Sequence, residues 1–372
     1  MQKTKIIHVV HDFLFGGIES YLYYLVQAQK YNDQLEIAIL CCQDENSVAN
    51  PRLKSVGVKI YYLPIKPFDL NVEKYRKVMQ IVSKYDFAQL HIYKPLLLEA
   101  LYRSKTAVIF TVHTAGAVRR EQSFYGKSKV AFQVKQLNRC CKGVVNNSNY
   151  SQQYWLEKGV KKENNAVIYN GVGFNDSFDK DFAGNMFPEI VGNGFIVGTT
   201  SRFIGWKRVD FLIQGFAKFL SKYTDAKLLL VGDGSEMDSL KSLVSNLGID
   251  DSVIFTGFQK QVTSFQSVMD VCVFPSVSEP FGLVAIECMH LGKPVVVMDD
   301  GGGLRELVEQ VEPDLIVRDV DAMADKLYEL AKKMRVGNDG GIESRISFAE
   351  QFNIFEIERK YLSYYKSLEL HD

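Results

Sequence analysis

No apolar run in the chain approaches the ~20 residues of a membrane-crossing helix. Its apolar runs, such as VIF at 108–110, VVVM at 295–298 and the six residues IAILCC at 37–42, are strand-sized. The opening MQKTKIIHVV holds an apolar run too short for a secretory signal core and meets His11-Asp12 at once, so the chain reads as cytoplasmic. Six cysteines, Cys41, Cys42, Cys140, Cys141, Cys272 and Cys288, include two adjacent pairs and no CxxC. That pattern fits reduced core thiols better than a disulfide frame or a zinc site. No GxxxxGK[ST], HExxH, GxSxG or strand-following GxGxxG occurs, which argues against P-loop, zincin, nucleophile-elbow and dinucleotide chemistry. Asp179-Lys-Asp181 and Asp319-Val-Asp321 spell DxD, but the first falls in a linker and the second reads as a helix cap, so no metal is expected. Repeats and low-complexity tracts are absent as well.

What is present is an ordinary soluble composition of 372 residues, 47% hydrophobic and 24% charged, long enough for two domains. The zero net charge, 44 basic against 44 acidic side chains, hides a split. Residues 1–172 carry 24 basic and 13 acidic side chains (+11), and residues 173–372 carry 20 and 31 (−11). A basic half faces something anionic: nucleic acid, a membrane surface or a phosphorylated ligand. No nucleic-acid motif accompanies it, so nucleic acid is not an expected partner.

Short β-branched runs alternate with helix-length amphipathic stretches throughout. The first half has KIIHVV, LEIAIL, VKIYYL, FAQLHI, AVIFTV, GVVNNS and NAVIYN; the second has FIVGTT, AKLLLVG, SVIFTG, VCVFPS, KPVVVM and DLIVRD. The pattern predicts an α/β protein with two doubly wound, Rossmann-like domains, residues 1–172 and 194–353. Residues 173–193, rich in Gly, Asn and Asp, read as the linker, and 354–372 as a last helix. Ligands of open α/β sheets bind at the carboxyl ends of the strands, so a cleft between the domains is the expected site.

The most specific stretch follows VCVFPS, where Glu279 and Glu287 bracket PFGLV, and Phe281-Gly282 opens a helix through Leu283 and Val284. Pro280 suits a helix entry, Gly282 lets a ligand approach the backbone, and the amides of the first turn make an anion site. Two carboxylates flanking such a turn suit a ligand with hydroxyls at both ends and phosphates between. After FIVGTT, Arg202 and Lys207 stand on a loop at a strand end and could neutralise a diphosphate. Gly16-Gly17 form a strand-to-helix turn after KIIHVV, and His113 ends AVIFTV, whereas His8 and His91 read as packed strand residues. Position alone leaves His113 as structural as it is functional.

Glu279-x7-Glu287 with FGLV, the GTTSRFIGWKRVDFLI segment, GGIES, TVHT, IYNGV, LLLVGDG and GKPVVVMDDGG together resemble glycosyltransferase family 4 over nearly the whole chain. The resemblance implies the GT-B fold, with the last helix crossing back to the first domain. It also implies retaining, metal-independent transfer of a sugar from a nucleoside-diphosphate sugar, with no further cofactor. By that resemblance Glu279 contacts donor-sugar hydroxyls and Glu287 the ribose. The backbone of Phe281, Gly282, Leu283 and Val284 meets sugar and phosphates, Arg202 and Lys207 bind the diphosphate, Gly16 and Gly17 approach it, and His113 lines the sugar and acceptor side. Glu279, His113, Arg202 and Lys207 are the expected catalytic set. A front-face displacement and a double displacement through Glu279 both remain open. Trp206 departs from the small or acidic residue common at its place in the family.

Family prevalence favours UDP-hexose or UDP-N-acetylhexosamine over GDP-mannose as donor. A glycan or lipid-linked acceptor in surface polysaccharide or lipopolysaccharide synthesis is the implied target. A sugar-nucleotide epimerase or hydrolase and a non-catalytic nucleotide-sugar scaffold are the alternatives. Segment 118–142 holds seven basic residues against Glu121, interleaved with apolar ones. It reads as a helix that either attaches peripherally to the inner face of an anionic membrane or is an ordinary domain helix with a solvated basic face.

Overall fold

The computed structural model describes residues 3–11, 17–45, 55–66, 69–113, 123–161, 163, 165–174, 178–179, 181–192, 194–337 and 340–369. The chain divides into two compact units, Met1–Gly173 with Asn353–Asp372, and Phe174–Phe352.

In the first unit seven parallel strands form one sheet: β1 (Thr4–Val10), β2 (Leu35–Cys41), β3 (Lys59–Tyr62), β4 (Phe87–Leu90), β5 (Ala107–Val112), β6 (Gly143–Asn146) and β7 (Asn165–Val167). Their order is β3-β2-β1-β4-β5-β6-β7, so the winding reverses between β1 and β4. Helices α1 (Gly17–Lys30), α2 (Val72–Val82), α3 (Pro95–Arg103), α4 (Phe124–Cys140) and α5 (Asn149–Glu157) connect them. β4 and β6 are buried at every residue, as strands covered by helices on both faces must be. Pro95 starts α3, where its missing N–H costs nothing.

The second unit repeats the plan with β8 (Phe195–Thr200), β9 (Ala226–Val231), β10 (Val253–Gly257), β11 (Val271–Phe274), β12 (Val295–Met298) and β13 (Ile316–Val317). The order is β10-β9-β8-β11-β12-β13, with the reversal between β8 and β11. Its helices are α6 (Phe182–Met186), α7 (Val209–Leu220), α8 (Met237–Leu247), α9 (Val262–Val268), α10 (Leu283–His290), α11 (Gly303–Glu309), α12 (Val320–Arg335) and α13 (Ile342–Glu350). The chain then returns to the first unit as α14 (Ile354–Glu369). Ile357, Tyr361 and Tyr365 of α14 are wholly buried, and Tyr21 of α1 donates to Tyr361 at 3.0 Å.

The described strands coincide with the thirteen β-branched runs of the sequence, and all six cysteines are buried and none is in a disulfide. Three details differ from the sequence reading. The described part of the expected linker belongs to the second unit: α6 forms there because Phe182 and Phe187 both set their edges against Phe265, with Ala183 buried beneath. These contacts are long-range and leave no period in the local sequence. Asp179 accepts from Asp181 N in the turn before α6, and Asp319 caps α12 by accepting from Ala322 N at 2.8 Å. Pro280 stands outside α10, whose cap is Gly282. The helix expected over 118–142 is α4; residues 118–122 lie outside the described residues, and Cys141 is already extended.

Candidate active site

Three loops leave the carboxyl ends of the second sheet at its reversal point, and main-chain bonds stitch them together. Val277 N donates to Trp206 O at 3.0 Å, Ser278 N to Asp300 O at 2.9 Å, Glu279 N to Gly301 O at 3.1 Å, and Gly303 N back to Glu279 O at 2.7 Å. Beneath them Phe203 N donates to Asp233 O, and a Cβ on Gly232 or Gly234 would run into the backbone of Ser201 or Phe203. The glycines of LLLVGDG are thus the floor on which the Arg202–Lys207 loop rests.

The stitching brings Lys207 and Glu279 together, with Nζ 2.6 Å from Oε2 and side-chain exposures of 13% and 14%. Lys207 Nζ also lies 4.3 Å from the centre of the Trp206 ring, so the residue that departs from the family pattern supplies a cation–π face and a carbonyl for the neighbouring loop. Arg202 is exposed on the same loop. Each member of the pair adjoins a non-glycine residue in the left-handed region, Arg208 at φ 48° after Lys207 and Ser278 at φ 51° before Glu279. Asp300 holds both: its carboxylate accepts from Arg208 Nη1 at 2.8–3.0 Å, and its carbonyl accepts from Ser278 N. Such strain persists only where the surroundings over-determine the backbone.

Three residues after Glu279, Gly282 takes φ 114°, and a Cβ there would meet Leu304 Cδ1 at 2.6 Å. The glycine turns the chain so that the first amides of α10, at Leu283 and Val284, lack intrahelical acceptors, while Ala285 N already bonds Gly282 O. Phe281 is buried and packs on Phe352. Glu287, one turn on, is half-buried; Gln266 Nε2 donates to it at 3.4 Å and to Thr200 Oγ1 at 3.2 Å. Burial pushes the Glu287 carboxyl above its ordinary range, partly offset by the Gln266 hydrogen bond. The two glutamates therefore keep separate partners. Gln266, fully buried on α9, was not read from the sequence; a polar residue amid an apolar helix face is the signal that could have found it.

In the first unit His113 follows β5, buried, with its Nε2 2.8 Å from His91 Nδ1. His8 lies in β1 as the sequence suggests, whereas His91 stands just past the end of β4. Gly17 is the exposed first residue of α1, and Gly16 lies outside the described residues. On α4, Val130, Val134 and Leu137 enter the core, while Lys127, Lys129, Lys135 and Arg139 are exposed together with Phe132 at 52%. Among the described residues no helix is long and apolar enough to cross a membrane, and no three His, Cys, Asp or Glu side chains gather as a metal site.

Two doubly wound units, together with two glycosyltransferase family matches that cover most of the chain, define it as a GT-B glycosyltransferase. Residues 15–175 match Glycosyltransferase Family 4 and residues 194–333 match the group 1 glycosyl transferases. The chain belongs to this group 1, family 4 class of enzymes. It is 25% identical over 381 aligned residues, 98% of each chain, to the O-antigen biosynthesis glycosyltransferase WclY of Escherichia coli. It is 36% identical over 167 residues to N-acetyl-alpha-D-glucosaminyl L-malate synthase of Bacillus anthracis, a match spanning 44% of this chain and 43% of that one. HepE of Anabaena, solved in complex with UDP, has the same fold, with a TM-score of 0.82 at 23% identity over 98% of this chain and 100% of that one.

Proposed function

We propose that the enzyme transfers a hexose or N-acetylhexosamine from a UDP-sugar, with retention and without a metal, to a glycan or lipid-linked acceptor in surface polysaccharide synthesis. The observation that carries this reading is the Lys207–Glu279 pair at the strand ends beside the amino end of α10. WclY's name and the UDP in the HepE structure support the polymer and the base.

In the structure Glu279 neutralises Lys207. An arriving diphosphate offers Lys207 a doubly charged partner and Glu279 a set of sugar hydroxyls, which an acceptor-only carboxylate suits. The amides of Leu283 and Val284 and the exposed Arg202 add further donors to the phosphates. As the anomeric C–O bond breaks, charge grows on the leaving phosphate, and these fixed positive groups stabilise it without reorganising. That supply of charge is why no bound cation or other cofactor is invoked. The acceptor oxygen attacks on the face the phosphate leaves, its proton passes to the departing phosphate oxygen, and the products are the glycoside and the nucleoside diphosphate. Glu287, on α10, takes the ribose hydroxyls. In the first unit His113 and Gly17 serve the substrate side, and the exposed lysines of α4 with Phe132 attach the enzyme to an anionic leaflet.

The test is product analysis with UDP-glucose and UDP-N-acetylglucosamine, with and without a lipid-linked acceptor, in EDTA. An α-linked glycoside formed only with acceptor supports transfer. Free sugar or an isomer formed without acceptor supports a hydrolase or epimerase, and a sugar trapped covalently on Glu279 supports double displacement.

A further inference from the structure

A buried line of hydrogen-bonding side chains crosses the first unit and ends at His113. Tyr365 of α14 donates to Gln89 Oε1 and accepts from Gln29 Nε2 at 3.3 Å. Gln29 Oε1 lies 2.7 Å from His8 Nε2, His8 Nδ1 lies 2.9 Å from His91 Nε2, and His91 Nδ1 lies 2.8 Å from His113 Nε2. The three rings stack, with centroids 5.2 and 5.1 Å apart. The line follows the carboxyl half of the sheet across β1, β4 and β5, where the winding reverses. Burial lowers His8 to about 4 and His113 to about 3, and holds His91 well below 6.5, so each ring carries a single proton at neutral pH.

One proton per ring gives the line a direction. Gln29 donates from Nε2 to Tyr365, so its Oε1 is an acceptor, and His8 must carry its proton on Nε2. His8 Nδ1 then accepts, and His91 donates from Nε2. His91 Nδ1 accepts in turn, and His113 donates from its Nε2. This leaves His113 Nδ1 as a bare lone pair, buried and without a hydrogen-bond partner among the described residues. The reverse polarity would bury an unpaired N–H at the same place, and orphaned N–H groups are the rarer and costlier case.

We infer that Gln29, His8 and His91 are positioning residues: their line locks His113 in the Nε2–H tautomer, so that Nδ1 stands ready to accept a hydrogen bond from a hydroxyl of a bound sugar. A site built to pair a hydroxyl rejects a sugar lacking it, because the buried acceptor is then left empty. The inference rests on the placement of His113 on the substrate side, and its test separates the two.

Nitrogen NMR of the full chain labelled at its six histidines reads the tautomer directly, each signal assigned by single His variants. The inference expects a protonated Nε2 and an unprotonated Nδ1 on His113; a proton on Nδ1 overturns it. UDP release from UDP-glucose is then followed in His91→Phe, His91→Asn and His113→Phe. His91→Phe removes the acceptor for His113 and should lower kcat/KM about tenfold, one hydrogen bond's worth, while UDP affinity stays unchanged. His91→Asn, whose Oδ1 takes the place of Nδ1, should recover to within about twofold. Equal losses in both folded His91 variants overturn the positioning role. Unchanged kinetics in His113→Phe remove His113 from the substrate side, and the inference with it.

Discussion

At 13% and 14% exposure, the Lys207–Glu279 pair lies between a solvated bridge and a buried one. Breaking a buried pair costs about 3–5 kcal/mol and an exposed one about 0–1. Lys207→Ala should therefore lower the unfolding free energy by about 1–2 kcal/mol, read from urea midpoints; a loss above about 3 kcal/mol would mark the pair as a stability element first. The histidine line gives the fold a pH dependence of definite sign. Unfolded histidine titrates near 6.5 and folded His8 near 4. Between these values the unfolded chain binds more protons, so stability is complete above 6.5 and falls as the pH drops towards the folded values. By pH 5 the loss should reach about 2 kcal/mol for each of His8 and His113. Urea midpoints unchanged between pH 7 and pH 5 would contradict it.

Among the elements, the loops and not the strands carry what the sequence left unread. The strands were legible because their β-branched runs must be buried on both faces, a local and compositional signal. α6 was not legible, because it depends on Phe265, far along the chain. The nearness of Glu279, Glu287, Arg202 and Lys207 to strand ends could be read from spacing. The ion pair could not, since it depends on loop stitching through Trp206, Asp300 and Gly301. The role of Asp300 is testable. Asp300→Ala removes the partner of Arg208 at a half-exposed site, which alone costs at most about 1 kcal/mol of stability. It also frees the strained Arg208 beside Lys207, while Ser278 N keeps its bond to the main-chain carbonyl of residue 300, so the KM for the sugar donor should rise severalfold while the melting temperature barely moves. A melting temperature that falls with KM unchanged would make Asp300 a structural residue only. Gly282→Ala meets both a left-handed φ of 114° and Leu304, and should fail in both respects.

For the whole molecule, the charge split bears on the proposed membrane attachment. The +11 of residues 1–172 includes the exposed Lys127, Lys129 and Lys135 of α4 flanking the exposed Phe132. Charges on an exposed face are screened beyond about 10 Å at 0.1 M salt. Binding to phosphatidylglycerol vesicles should accordingly be strong at low salt, weak at 0.5 M, and reduced in Phe132→Ser. Failure to sediment with anionic vesicles at low salt would end the membrane reading and leave α4 an ordinary domain helix. The second unit, residues 174–352, carries 17 basic and 27 acidic side chains (−10), so in the proposed site the burden of phosphate binding falls on Lys207, Arg202 and the α10 amides.

Calorimetric titration of UDP, with GDP and ADP in parallel, into wild-type, Lys207→Ala and Glu279→Gln protein in EDTA tests that assignment most directly. The account predicts opposite signs. Lys207→Ala should weaken the nucleoside diphosphate by about tenfold or more, a charged hydrogen bond being worth about 1.5–3 kcal/mol. Glu279→Gln releases Lys207 from its partner, so a ligand with no sugar should bind as well as before or more tightly. Equal weakening in both variants, or none in Lys207→Ala, would contradict the placement of the diphosphate on this pair.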